Sequence, residues 1–203
     1  MADDARAAVL ARIRAATSSG VVAVPRAYDR QPLSGPADVD RFADSVAEYR
    51  ARVHRIARSE ISATVAELLG DGTAIVPPDV PQSWVANSST VTDHPPLSVY
   101  ELDRADAVVT GCAVGIAVTG TIVLDGGAAQ GRRAITLIPD HHICVIGDRQ
   151  IVDTVPQAFA ILDPVRPLTF VSGPSATSDI ELQRVEGVHG PRTLDVVIVG
   201  VDR

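Results

Sequence analysis

Apolar positions in the first seventy residues recur at helical spacing. Over 5–16, Val9, Ile13 and Ala16 stand three and four residues apart, Asp3 and Asp4 precede them, and Gly20 follows. That pattern predicts an amphipathic helix with an acidic start and a glycine beyond its end. Residues 21–36 are rich in Pro and Gly, ending in Leu33-Ser34-Gly35-Pro36, and read as an extended linker. A long helical pattern then covers 38–69, with Phe42, Val46, Tyr49, Val53, Ile56, Ile61, Val65 and Leu68 on its apolar face. Ser59 divides it into two helices, and Gly70-Asp71-Gly72 closes it.

Beyond residue 72 the apolar runs become short. Strands are predicted at 74–76, just before Pro77-Pro78, and at 107–110, 121–124, 143–146, 168–171 and 194–199. Helical segments fit between several of them: Ser98 and Glu101 have the spacing of a capping box, and 155–162 forms another helix. Short Val/Ile-rich strands alternating with helices predict an α/β fold, an open and mostly parallel sheet flanked by helices. Residues 1–71 are expected to form an N-terminal helical extension packed on the body, and residues 72–203 one compact α/β domain.

Composition fits that class. Hydrophobic residues make up 46% of the 203, but aromatics only 3%, so the core is built of Val, Ile, Leu and Ala, as buried parallel strands require. The formal net charge is -7, without the basic footprint that nucleic acid demands. There are 2 cysteines, Cys112 and Cys144, too few for a site of four thiolates; they are expected as buried free thiols. The histidines have no partners at metal-ligand spacing, so neither a metal nor a cofactor is expected in this chain. The acidic start shows no signal peptide and no apolar stretch reaches membrane-spanning length, so a cytoplasmic location is expected.

Four segments carry candidate chemistry. Ser172-Gly173-Pro174-Ser175-Ala176-Thr177-Ser178-Asp179-Ile180-Glu181 follows a predicted strand. A Gly/Ser loop feeding a helix start presents backbone N–H groups to an anion. Ser178 with Glu181 serves equally as a capping box. His189 lies among turn residues Gly187, Gly190 and Pro191, as a proton donor or as a surface turn residue. Small residues at Val118-Thr119-Gly120-Thr121 allow a backbone or a ligand to approach closely near Gly120. Arg132 and Arg133 are forked donors for carboxylate or phosphate, or solvated surface cations. His141 and His142 adjoin at a strand start, so they point to opposite faces and do not share one metal.

The ordered succession Thr110-Gly111-Cys112, Ile116-Ala117-Val118-Thr119-Gly120-Thr121, Gly131-Arg132-Arg133, Pro139-Asp140-His141-His142, Ser172-Gly173-Pro174-Ser175, Asp179-Ile180-Glu181 and Gly187-Val188-His189-Gly190-Pro191 resembles the lactate-utilisation protein C family, with its LUD domain. The resemblance implies a sheet of the NagB/RpiA/CoA-transferase type with the site at strand carboxyl ends. It also implies a non-redox part in oxidising L-lactate to pyruvate, beside partner proteins that carry iron–sulfur centres. On that basis the ligand-site candidates are Thr119, Gly120, Thr121, Arg132, Gly173, Ser175, Asp179, Glu181 and His189. Ser175 would hold an anion, Arg132 a carboxylate, and His189 a proton. The alternatives are a stand-alone enzyme on a CoA ester or sugar phosphate, and a regulatory or scaffolding module. Two departures stand out: Val118 occupies the place where relatives commonly carry an acid, and Ala176 a place where many carry a base.

Overall fold

A computed structural model describes residues 2–17, 23–25, 37–174 and 190–200. Its elements are α1 (Ala2–Ala16), α2 (Val39–Glu48), β1 (Arg52–Ala57), α3 (Ile61–Leu69), β2 (Thr73–Val76), α4 (Gln82–Val85), β3 (Ser89–Thr92), α5 (Val99–Asp103), β4 (Ala107–Thr110), β5 (Val114–Ile116), β6 (Thr121–Leu124), β7 (His141–Gly147), β8 (Ile151–Val152), α6 (Val155–Ile161), β9 (Thr169–Val171) and β10 (Thr193–Gly200). Six strands form one sheet in the order β1-β10-β7-β4-β2-β3, every neighbouring pair parallel. A second sheet of four, ordered β8-β5-β6-β9 and mixed in direction, takes its strands from the chain on either side of β7.

The main sheet is buried on both faces, which explains the nearly unbroken apolar reading of β7 and β10. Successive side chains alternate between two cores. Ile143, Val145 and Val197 pack with Ile61, Val65 and Leu69 of α3. On the opposite face Cys144, Ile146, Val196 and Ile198 meet Phe42 and Val46 of α2 and Ile122 and Leu124 of the second sheet. Fully burying a side chain such as Phe42 stabilises by roughly 1.5–3 kcal/mol. Both predicted thiols are free and buried there.

The helical pattern over 38–69 is corrected. Residues 52–57 form β1, an edge strand in parallel register with β10 from Arg52 opposite Asp195 to Ala57 opposite Gly200. The chain before residue 72 is thus not wholly helical, and it supplies both an edge of the sheet and part of its core. Helix α2 ends at Tyr49, Arg50 takes a positive φ of 66°, and the chain turns out into the strand. Val53 and Ile56 are three apart, which mimics a helix. A free edge on β10 and the carboxylate of Asp195 decide for strand, because tertiary partners override local periodicity. Tyr49, expected on a buried face, is exposed. The candidates at 121–124 and 168–171 also lie apart from the parallel sheet: β6 and β9 pair antiparallel in the second sheet. The Ser98/Glu101 capping box opens α5 as read from spacing.

Close approach at Gly120 joins α2 to the second sheet. Its φ is 55°, and a Cβ there would stand 2.5 Å from the carbonyl carbon and oxygen of Ser45. Replacing Gly120 by Ala is therefore expected to cost about 2–4 kcal/mol, from left-handed strain plus displacement of the helix backbone. In a chain of this size that lowers Tm by roughly 5–15 °C. Gly126→Ala, at a φ of 66° but with open space around it, should show the backbone part alone, about 1–2 kcal/mol. Equal thermal denaturation curves for the two variants would contradict the close packing.

Candidate functional site

The loop after β6 folds back over the carboxyl ends of the parallel strands, where ligands bind in open α/β sheets. Gly111, just past β4, donates its N–H to Ala129 O at 2.7 Å, and Ala129 N–H in turn reaches Asp79 Oδ2, beyond β2, at 2.8 Å. Gln130 is buried and clamps the loop: its amide oxygen accepts from Asp125 N and its amide nitrogen donates to Asp125 Oδ1. Beside this loop opens a cleft of ≈ 440 Å³, bounded by Leu124, Gly131, Arg132, Arg133, Pro167 and Thr169.

The two arginines of the cleft differ. Arg132 forms a fork on Asp93, Nε to Oδ2 at 2.7 Å and Nη2 to Oδ1 at 2.9 Å, and Nη2 also reaches Leu97 O at 2.6 Å. Hydrogen bonding to Arg132 holds the buried Asp93 carboxyl below its ordinary range. Arg132 thus lines the cleft with its charge already matched by Asp93 within the chain. Arg133 is exposed, donates from Nη1 to Thr169 Oγ1, and has no carboxylate partner among the described residues. Of the two arginines lining the cleft, it is the one whose charge no carboxylate matches among the described residues.

Thr119, Gly120, Thr121 and Gly173 do not line this cleft. Thr121 Oγ1 lies 2.7 Å from Thr119 Oγ1 and 2.8 Å from Ser172 Oγ, tying β6 to the chain that leaves β9. Gly173, at a φ of 80°, lies where a Cβ would stand 2.5 Å from Tyr49 O. The close backbone approach read near Gly120 is thus made by α2. Val118 borders a shallow groove with Asp38, Asp44 and Glu48, so an acid at 118 would stand among like charges. Ser175, Asp179, Glu181 and His189 lie outside the described residues. Arg192 pairs with Asp140 at 3.3 Å.

Two polar clusters inside the main sheet complete the electrostatics. His142 is buried, its Nε2 2.7 Å from Thr110 Oγ1. Burial, assisted by the neighbouring His141, pushes its pKa down to about 4. His141 points the other way, as adjacent strand residues must, and its Nε2 stands 2.5 Å from Asp195 Oδ2. Asp195 is wholly buried and also takes Arg52 Nε at 2.9 Å and His54 Nε2 at 2.7 Å. Burial raises its pKa, but the bonds from His141, Arg52 and His54 outweigh that and hold it at about 2. The sequence reading missed this cluster; a single carboxylate within the apolar run Leu194-Asp195-Val196-Val197 was its signal. Among the described residues no group of three or more His, Cys, Asp or Glu is placed to hold a metal.

These groups set the acid limit of stability. The unfolded chain protonates His142 near pH 6.5 while the folded chain resists until about 4, so stability falls as pH drops through that window. The Asp195 contribution is complete above its unfolded value of 3.8 and is lost as pH falls through about 2. Urea unfolding should therefore show a loss of about 2–3 kcal/mol between pH 7 and 4.5. His142→Gln should flatten that limb, even if its stability at pH 7 is lower; an unchanged slope would remove His142 as its source.

Comparison with known proteins agrees with the architecture. The LUD domain profile matches residues 100–199. Lactate utilization protein C of Deinococcus radiodurans is 48% identical over 193 residues, covering 92% of this chain and 91% of that one. Lactate utilization protein C of Geobacillus kaustophilus is 31% identical over 153 residues, 64% of this chain and 63% of its own. The crystal structure of a DUF162 family protein from Deinococcus radiodurans superposes with a TM-score of 0.69 at 45% identity, covering 80% of this chain and 96% of the other. Near-complete coverage at that identity, with the same fold, leaves one conclusion: the chain belongs to the LUD-domain family of lactate utilization C proteins.

Proposed function

We propose that this protein is a non-redox component of L-lactate utilisation, acting beside partner proteins that carry iron–sulfur centres. The reading is carried by its 48% identity to a lactate utilization protein C along nearly the whole of both chains. Oxidation of lactate to pyruvate releases two electrons and two protons, and the chain's 2 cysteines fall short of a four-thiolate cluster. The electrons are therefore assigned to the partners. The cleft beside Arg133 is the proposed seat of a small carboxylate: an exposed guanidinium, a neighbouring hydroxyl on Thr169, and apolar walls from Leu124 and Pro167 match an anion with a short carbon tail.

Cell extracts give the direct check. Removing this chain should abolish lactate-dependent dye reduction, and restoring it should recover the signal; an unchanged signal overturns the role in lactate oxidation. For the cleft, titration calorimetry with L-lactate and pyruvate is decisive. Arg133→Gln should weaken binding about 10- to 100-fold, the worth of a charge-assisted hydrogen bond. Equal affinities in the two proteins, or no binding in either, would reject the cleft as a carboxylate site.

A further inference from the structure

Helix α1 presents its apolar residues to solvent. Residues 5–17 are exposed throughout, with Val9, Leu10 and Ile13 exposed by 55%, 36% and 52%. These three share one helix face at spacings of three and four. A helix of 15 residues is marginal alone in water and draws its stability from a surface that covers its apolar side.

A surface of that kind lies on the body. Phe159 of α6 and Phe170 of β9 stack with ring centroids 5.7 Å apart; both stand about half exposed, and Val155, one turn before Phe159, is 37% exposed. The chain has only 3 phenylalanines, and two of them make this outward patch while Phe42 fills the core. Clustered exposed aromatics mark a contact face rather than incidental exposure. Just past the end of α6, Asp163 is exposed and pairs with no cation among the described residues. Arg6, Arg12 and Arg14 outnumber Asp3 and Asp4 in α1, with Arg12 and Arg14 in its second half.

Connectivity selects the occupant. Asp38, which caps α2, donates its N–H to Asp153 Oδ1 at 3.1 Å, and Asp153 stands just before α6. The chain at Asp38 is thus held at the start of α6, the helix that carries Phe159. The chain between Thr17 and Ala37 spans at most ~70 Å when fully extended, so α1 is confined near that face at an effective concentration on the order of millimolar. We propose that α1 docks in cis on the α6/β9 surface, with Val9, Leu10 and Ile13 over the Phe159–Phe170 pair and its arginines toward Asp163. This contact is independent of the lactate reading and stands or falls by itself.

The full-length chain tests it in two ways. Amide exchange should show α1 protected at least ~10-fold over an unfolded peptide, the range of a docked but reversible element. Phe159→Ser with Phe170→Ser should return α1 to the unfolded rate while β7 and β10 stay protected, which confirms that the body remains folded. Unprotected α1 in the unsubstituted chain, or protection indifferent to those substitutions, overturns the proposal. Cross-linking names the occupant: with Ala16→Cys and Ala160→Cys, and Cys112 and Cys144 buried, a short bis-maleimide should give a product of monomer mass. A product of dimer mass would assign the surface to a second copy, and no product beyond the single-cysteine controls would leave α1 undocked; either overturns docking in cis.

Discussion

Helix α2 meets the second sheet backbone to backbone, and much of the molecule is arranged around that approach. Gly120 admits the Ser45 carbonyl at a distance no side chain would tolerate. Because the helix lies so low, Phe42 and Val46 reach the core shared by both sheets. At one end of α2 the Asp38 N–H finds Asp153; beyond the other, Tyr49 seats against Gly173. Three separate stretches of chain, around residues 120, 153 and 173, are thus held by one helix. The motif glycines that suggest a ligand loop are here packing residues.

The main sheet faces the opposite problem: polar groups in a setting that disfavours charge. Each charge there is answered by partners already in place. Asp195 is surrounded by an arginine and two histidines drawn from both neighbouring strands, which locks β1, β10 and β7 in register. Buried His142 avoids the cost by staying neutral beside Thr110. Asp93 and Arg132 neutralise each other beyond β3. In a low-dielectric interior an unpaired charge would cost several kcal/mol, so these pairings decide which ionic groups are spent on structure. Arg133, left exposed on the cleft, is not among them.

Motifs alone do not tell the two cleft arginines apart. Arg132 and Arg133 are adjacent and alike in sequence, yet the backbone sends the first toward Asp93 and the second toward Thr169. The family relationship supplies the biological context, and the cleft sets an exposed guanidinium beside the apolar walls of Leu124 and Pro167.

The amino-acid sequence by itself determined the α/β class, the strands at 107–110 and 143–146, the helix capped by Ser98, and the split of His141 and His142 to opposite faces. All of these follow from local rules: side-chain period, capping spacing and alternation across a strand. Only the tertiary structure decided that 52–57 is a strand, that 121–124 and 169–171 form a separate antiparallel pair, and that Asp195 gathers Arg52, His54 and His141. Each of those depends on a partner distant in the chain: a free edge on β10, the pairing of Leu124 with Thr169, a carboxylate some 140 residues from the histidine it holds. Hydrogen bonds and charge pairs act through space, and a one-dimensional pattern carries the period of a segment but not the identity of what it will meet.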